Sequence, residues 1–342
     1  MKAFFDSRQL GHAPETYFRR GAAMPHQEQP ERAEILRNVL LEEGFEILRP
    51  RDHGLAPIKA VHNPDYVDFL PDAHARFVAS AGPDALAIPT MHPGRRRGKE
   101  PADIHGQLGW WMTDTSNPLT AGTWDAAYWS AQSAIETAEE ILSGARSAYA
   151  LCRPPGHHAM RDCANGFSFF NNACIAAHHL RARFGKVALI DVDVHTGNGS
   201  LDILYERGDI FFCSLHPDPS TFPTFYLGHA DETGEGEGAG ASLNVLLKQG
   251  ASQDEVLSAL DTALAAVTAF GAEALVVSLG FDMAADDPLA AVAVYPDGFA
   301  EMARRLAGLG LPTALVQEGG YLGPSLAHNA RAFFTSFREA TT

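Results

Sequence analysis

Val187-Ala-Leu-Ile-Asp191-Val-Asp193-Val-His195 carries the fold assignment. A short apolar run gives way to alternating acidic, apolar and imidazole side chains. That is the pattern of a fully buried strand whose carboxyl end opens into a polar site. The two-residue spacing places Asp193 and His195 on one side of an extended chain. The same arrangement recurs along the sequence. Ala148–Cys152 runs into Arg153-Pro-Pro-Gly-His157-His158, and Ile210–Leu215 runs into His216-Pro-Asp218. Ala274–Leu279 runs into Gly280-Phe-Asp282, and Thr313–Gln317 runs into Glu318-Gly-Gly-Tyr321. Longer stretches with helical spacing lie between them: Asn172–Phe184, Gln253–Phe270 and Gly298–Ala307. Strand and helix in alternation predict an α/β domain around a mainly parallel sheet. In such a sheet these loops all leave on the carboxyl edge, where ligands bind.

The N-terminal half is less regular. Pro30–Glu43 reads as a helix, with Pro30 in its first turn and Gly44 at its end. Asn63-Pro64 reads as a cap followed by a first helical residue, and Thr123–Leu142 as a long helix capped by Thr123. A Pro/Gly-rich segment from Ser80 to His105 carries Arg95-Arg96-Arg97-Gly98-Lys99. Its length marks it as a solvated loop, an oligomer contact or a border of the site. With no repeat and no low-complexity linker, residues 1–342 read as one domain with a loop insertion around 80–105.

The chain of 342 residues carries 26 Lys and Arg against 42 Asp and Glu, a formal charge of −16. This disfavours nucleic acid, whose binding depends on neutralising phosphates. No uncharged apolar run approaches the roughly 18 residues of a membrane span, and Met1–Asp6 is too short an apolar stretch for a secretory signal. A soluble, cytoplasmic protein without nucleic-acid or membrane partners is expected. Four cysteines, none in a C-x-x-C pair, read as buried apolar residues.

Asp193, His195 and Asp282 are the candidate metal ligands. Three protein ligands leave a position for water or substrate, as a catalytic zinc site requires. Two carboxylates and an imidazole suit zinc or iron(II) better than magnesium. The structural alternatives are a local hydrogen bond between Asp193 and His195, and a capping role for Asp282. His157 and His158 follow a Pro-Pro-Gly turn that restricts where they point. General acid–base work is one reading, with Asp191 and Asn198 as partners that set the imidazole tautomers. His178-His179, inside a helical pattern, read as structural. Tyr321, after two glycines, reads as a donor to a developing oxyanion or as a packing tyrosine. The run Gly234–Gly240 lacks the strand, helix and lysine that phosphate binding needs, and reads as a flexible turn.

Taken as an ordered set, Arg153-Pro-Pro-Gly-His-His158, Asp191-Val-Asp-Val-His195, Gly280-Phe-Asp282 and Glu318-Gly-Gly-Tyr321 resemble the zinc-dependent histone deacetylase superfamily. The Ser80–His105 segment and Gly106-Gln-Leu-Gly-Trp-Trp111 are most similar to its bacterial acetylpolyamine amidohydrolases. The resemblance implies the arginase/deacetylase fold, with a central mainly parallel sheet of about eight strands flanked by helices. It also implies a homodimer built partly from the Ser80–His105 segment. It places zinc, with iron(II) as the alternative, on Asp193, His195 and Asp282. His157 and His158 become the pair facing the attacking water, with His158 the general base and acid, and Tyr321 polarises the carbonyl. Phe167 and Phe225, with Gly166, match the walls of a substrate tunnel. A structural potassium ion falls to Asp191, Asp193, His195, Ser214 and Leu215.

The implied reaction is hydrolysis of small N-acyl amides, acetylated polyamines before acetyl-lysine. The sequence departs from the family at Thr196, where a second histidine is common, and at Ser168, where cysteine is usual. At the pocket mouth Ser116 stands where the polyamine-cleaving relatives carry an acid, leaving Asp114 or Glu15 to supply negative charge. These departures keep a different small amide, a xenobiotic or secondary metabolite, open as substrate. An arginase-like two-metal ureohydrolase would want an acid at position 197, where Gly197 stands. A non-catalytic binding module would be expected to have lost a ligand or Tyr321, and neither is lost.

Overall fold

Alternate residues of the central strands feed two separate cores. In the computed structural model, which describes residues 1–19, 21–93, 98–222 and 226–341, Ala188 and Ile190 join one core and Val187 and Leu189 the other. Leu275 and Val277 face the first core, and Ala274 and Val276 the second. Strands apolar on both faces require a sheet covered on both sides. The sheet has eight strands in the order Glu46–Leu48, Lys2–Phe4, Ser147–Ala150, Thr313–Gln317, Ala274–Leu279, Val187–Asp191, Ile210–Pro217, Ser242–Leu247. Every neighbouring pair is parallel. Helices Pro30–Glu42, Gln253–Phe270, Pro296–Gly308 and Leu326–Thr341 cover one face. Pro64–Ala81, Ile104–Trp111, Thr123–Leu142 and Asn172–Leu180 cover the other.

Local chemistry sets the helix ends. The Asn63 side chain accepts from the Asp65 amide, with Pro64 in the first turn, as the sequence predicts. Ser252 and Glu255 form a reciprocal capping box. The cap of Thr123–Leu142 differs from expectation: Gly122 occupies the N-cap and Thr123 is the first helical residue. The Thr123 hydroxyl instead accepts from the Thr120 amide at 2.7 Å and meets His12 Nδ1 at 2.9 Å. The helix from Asn172 ends at Leu180, short of Phe184, because the Ala182 and Arg183 amides turn back to the carbonyls three residues before them.

Helices bracket the irregular segment more closely than the sequence suggests. One runs to Ala81, and Asp103 caps the next, so these two helices leave 82–103 between them. Arg95, Arg96 and Arg97 lie outside the described residues. An antiparallel hairpin of Thr16–Arg19 and Ala22–Pro25 stands apart from the main sheet. The glycine run forms a turn around a single 3-10 segment, Gly236–Gly238. All four cysteines are buried and none is in a disulfide. Among the described residues no helix is long and apolar enough to cross a membrane.

Candidate active site

Four strand ends deliver the polar residues to one place. Asp191 lies in register with Ser214 on one side and Ser278 on the other, so the chain leaving it emerges between two neighbouring loops. The Asp193 amide donates to Asp191 Oδ1 at 3.0 Å and the His195 amide to Asp193 Oδ1 at 2.9 Å. These successive side-chain turns curl the segment back on itself. Val194 N donates to Asp282 Oδ1 at 3.0 Å, and Gly319 N donates to Asp193 Oδ2 at 2.7 Å. A Cβ at position 319 would collide with the carboxylates of both Asp193 and Asp282, so the close approach needs glycine. One ligating atom each from Asp193, His195 and Asp282 lies within 4.8 Å of the others, and all three residues are buried. His195 Nδ1 stands 3.1 Å from Asp193 Oδ1 and 3.1 Å from Asp282 Oδ2.

The donor set fits a divalent cation. Two buried carboxylates facing one imidazole carry an excess of negative charge that burial makes costly. Burial and the charge of Asp193 push the Asp282 carboxyl up to about 8. Burial alone would lower the His195 pKa, but hydrogen bonds to Asp193 and Asp282 raise it to about 10. A bound dication takes the place of the protons that these shifts represent.

The two histidines beside this set are fixed through their Nδ1 atoms. His157 Nδ1 meets Asp191 Oδ2 at 2.9 Å, and His158 Nδ1 meets Asn198 Oδ1 at 2.7 Å. Both carbonyl and carboxylate oxygens accept, so each ring carries its proton on Nδ1 and offers Nε2 to the site. Their environments differ in sign. Burial is outweighed at His157 by Asp193 and Asp191, and its pKa is raised. At His158, burial and the neighbouring His157 and His195 push the pKa down. Behind the pair lies Glu318, whose Oε2 accepts from the Gly156 amide at 2.6 Å and the His157 amide at 3.0 Å. Burial raises its carboxyl to about 7. His178 and His179 lie elsewhere, and His179 meets Glu139 at 2.5 Å.

Tyr321 is set by two neighbours that sequence reasoning missed, Asp287 and Arg32. Asp287 accepts from the Tyr321 amide at 2.7 Å and from the Leu289 amide at 2.8 Å. Fully buried Arg32 donates to the carbonyls of Gly320 at 2.6 Å and Glu318 at 2.5 Å, and its guanidinium carbon lies 5.0 Å from the Tyr321 ring centroid. Glu28 pairs with Arg32 at 2.7 Å and with Arg153 at 3.0 Å. A buried arginine within a helical pattern gives no signal in a single sequence. Its partners here are backbone carbonyls 286 and 288 residues away.

A cavity of about 340 Å³ opens onto this cluster, lined by His158, His195 and Tyr321 at its floor and by Tyr17, Phe167, Phe222 and Leu289 along its walls. Phe167 and Gly166 both adopt positive φ, 68° and 51°. The strained turn is held by Asn117, which accepts from the Phe167 amide at 3.0 Å, and by Asp114, which accepts from the Gly166 amide at 2.9 Å. Phe225 lies outside the described residues; Phe222 is among the aromatic residues of the described lining. Asp114 and Ser116 line the cavity mouth. Glu15 is exposed and outside the lining, with its carbonyl accepting from the His26 amide at 3.0 Å. Asp191 and Ser214 sit side by side on adjacent strands, with Leu215 following Ser214.

Comparison with known proteins matches this arrangement. The histone deacetylase domain profile matches residues 26–337. The chain is 44% identical over 341 residues to the acetylpolyamine amidohydrolase of Burkholderia pseudomallei, covering 98% of each. It is 42% identical to that of Mycoplana ramosa, over 90% of this chain and 91% of the relative. The crystal structure of acetylpolyamine aminohydrolase from Burkholderia pseudomallei superposes with a TM-score of 0.94 at 43% identity, covering 99% of both chains. The HDA15 HD domain superposes with a TM-score of 0.81 at 27% identity, over 99% of this chain and 90% of that one. With its sheet order, buried Asp-His-Asp set and ordered motifs all on one edge, the chain belongs to the histone deacetylase domain family.

Proposed function

We propose that this protein is a metal-dependent hydrolase of small linear N-acyl amines, with acetylated polyamines, the substrates named for its relatives, as the first class to test. The observation that carries this is the floor of the cavity. One ligating atom each from Asp193, His195 and Asp282 lies within 4.8 Å of the others, and His195 shares with His158 and Tyr321 the lining of a cavity with aromatic walls. The fit of two carboxylates and one imidazole favours zinc, with iron(II) as the alternative. When bound there, the cation acts as a Lewis acid toward an amide carbonyl and lowers the pKa of water.

The chain's own residues do the rest. Asn198 accepts from His158 Nδ1 and so sets the tautomer with Nε2 toward the site, where it takes a proton from the attacking water and returns it to the leaving nitrogen, a role worth roughly 10²–10⁴-fold. His157, held between Asp191 and Asp193, has its ring fixed beside the developing oxyanion. Burial keeps the Tyr321 phenol protonated, so it donates to that oxyanion, worth roughly 3–4 kcal/mol. Phe167, Phe222 and Leu289 give the cavity apolar walls for the methylene chain of such a substrate. A structural potassium ion is assigned to Asp191, Asp193, His195, Ser214 and Leu215. A cytoplasmic homodimer is assigned through segment 82–103, which offers Met91 at 70% exposure and Leu86 at 36%.

A second reading keeps the chemistry and changes the substrate. It is favoured by the mouth, where Asp114 is engaged by backbone amides and Ser116 supplies no charge. The test is amine release by the zinc-loaded protein from N-acetylputrescine, N-acetylcadaverine and neutral N-alkyl acetamides. Turnover of at least one series is expected. No turnover of any acylated amine by metal-loaded protein would contradict the proposal.

A further inference from the structure

A single carboxylate fastens the loop of His157 and His158 to the strand end that carries Tyr321. Glu318 follows the strand Thr313–Gln317, is fully buried, and stands three residues before Tyr321. Its own backbone is fixed on both sides. The Glu318 amide donates to the Leu279 carbonyl at 2.9 Å, and the Glu318 carbonyl accepts from Arg32 Nη2 at 2.5 Å and Gln317 Nε2 at 3.2 Å. From this anchored point the side chain crosses to the histidine loop. Oε2 accepts from the Gly156 amide at 2.6 Å and the His157 amide at 3.0 Å, and Oε1 accepts from Ser278 Oγ at 3.2 Å.

The loop depends on that oxygen. Pro154 and Pro155 have no N–H to give, so the Gly156 and His157 amides are the first donors after them, and both turn to the same atom. The carbonyls of the loop are held from other directions. Pro154 O accepts from Ser130 Oγ at 2.8 Å, and His157 O accepts from the Gly199 and Ser200 amides at 3.0 and 3.1 Å. The bonds at Nδ1 act further out: Asp191 and Asn198 set how the two rings turn, not where their backbone stands. The ring centroids of His157 and His158 are 3.9 Å apart, so a shift of one backbone carries to the other ring.

The three groups bonded to the Glu318 side chain are two amides and a hydroxyl, none of them a cation. We infer that Glu318 is a positioning residue that sets the place of His157 and His158 through its reach, not its charge. This rests on the amide-hydrolase reading above and deepens it. Misplacing a reacting group by about 1 Å costs on the order of 10²-fold in rate.

Two variants separate reach from charge. Glu318→Gln keeps the length and an oxygen for both amides, while its nitrogen faces Ser278 Oγ. Glu318→Asp keeps the carboxylate but draws it back by one carbon–carbon bond, roughly 1.5 Å, out of hydrogen-bond reach. The zinc-loaded proteins are assayed with N-acetylputrescine and N-butylacetamide, and bound metal is read by elemental analysis. Glu318→Asp should lower kcat about 10- to 100-fold, with KM and metal content at the wild-type level, and the conservative Glu318→Gln should hold kcat within about threefold. In a His158→Ala background Glu318→Asp should have little further to lose, whereas in a Tyr321→Phe background its loss should add in full. Unchanged kcat in Glu318→Asp, loss of its metal, a fall in Glu318→Gln beyond threefold, or full additivity with His158→Ala would overturn the inference and leave the hydrolase reading standing. If Glu318→Asp does not fold, the threefold bound on Glu318→Gln decides alone. Inertness of the wild type toward both amides would overturn the hydrolase reading, and this inference with it.

Discussion

Tyr321 and Asp287 separate what a side chain does from what holds it. Tyr321→Phe removes only the phenolic donor, so kcat is expected to fall about 10²–10³-fold while bound metal, read by elemental analysis, stays at the wild-type level. Unchanged kcat would remove Tyr321 from the reaction. Asp287 touches backbone amides, not the cavity floor: Tyr321 N at 2.7 Å and Leu289 N at 2.8 Å. In Asp287→Asn one amide N–H faces another N–H and a bond is lost, worth about 1–3 kcal/mol where the group is buried. The loss should appear in kcat through Tyr321 and in KM through Leu289. In a Tyr321→Phe background the same change should leave kcat with little further to lose, because it acts through the missing phenol. Full additivity in kcat would contradict that positioning role. Asp193, His195, Asp282 and Tyr321 were legible because each follows an apolar run within a few residues. Asp287 and Arg32 were not, because they act on backbone groups and their side-chain types look ordinary in sequence.

At the level of elements, the five central strands could be read because both faces are apolar, while the edges could not. Lys2–Phe4 and Glu46–Leu48 are three residues each, too short for any periodicity. Ser242–Leu247 mixes buried and half-buried positions, as an edge strand does. The Gly122 cap was missed because Thr123 looks like a better cap than it is, its hydroxyl being engaged elsewhere. One junction has a measurable pH dependence. His62 Nδ1 donates to the Met160 carbonyl at 3.0 Å while Nε2 accepts from the Asn171 amide at 2.8 Å. Acceptance at Nε2 requires the neutral ring, and burial pushes its pKa down to about 4. The unfolded chain titrates this histidine near pH 6.5. Between those values the unfolded state holds more protons, so the contribution is complete above about 6.5 and is lost as pH falls toward 4. Urea unfolding between pH 7 and 4.5 should show wild type losing up to about 1.4 kcal/mol per pH unit more than His62→Gln. Parallel pH profiles for the two proteins would contradict this.

At the scale of the whole molecule, two cores on opposite faces of one sheet leave only its carboxyl edge for polar chemistry. The sequence announced that edge through loops that otherwise share no motif. It was silent on the hairpin at the mouth, whose alternation spans only four residues a strand. If segment 82–103 joins two copies, the protein should sediment as a dimer at micromolar concentration, and a single-chain species would contradict the assembly proposed. The account as a whole depends on a divalent ion held by two carboxylates and one imidazole. Metal content and amide hydrolysis, measured together on wild type and Asp282→Ala, test it most directly. One divalent ion per chain in wild type, with ion and hydrolysis both lost in the variant, is the expected result. Hydrolysis that survives in Asp282→Ala, or that proceeds in wild type stripped of its ion, would contradict it.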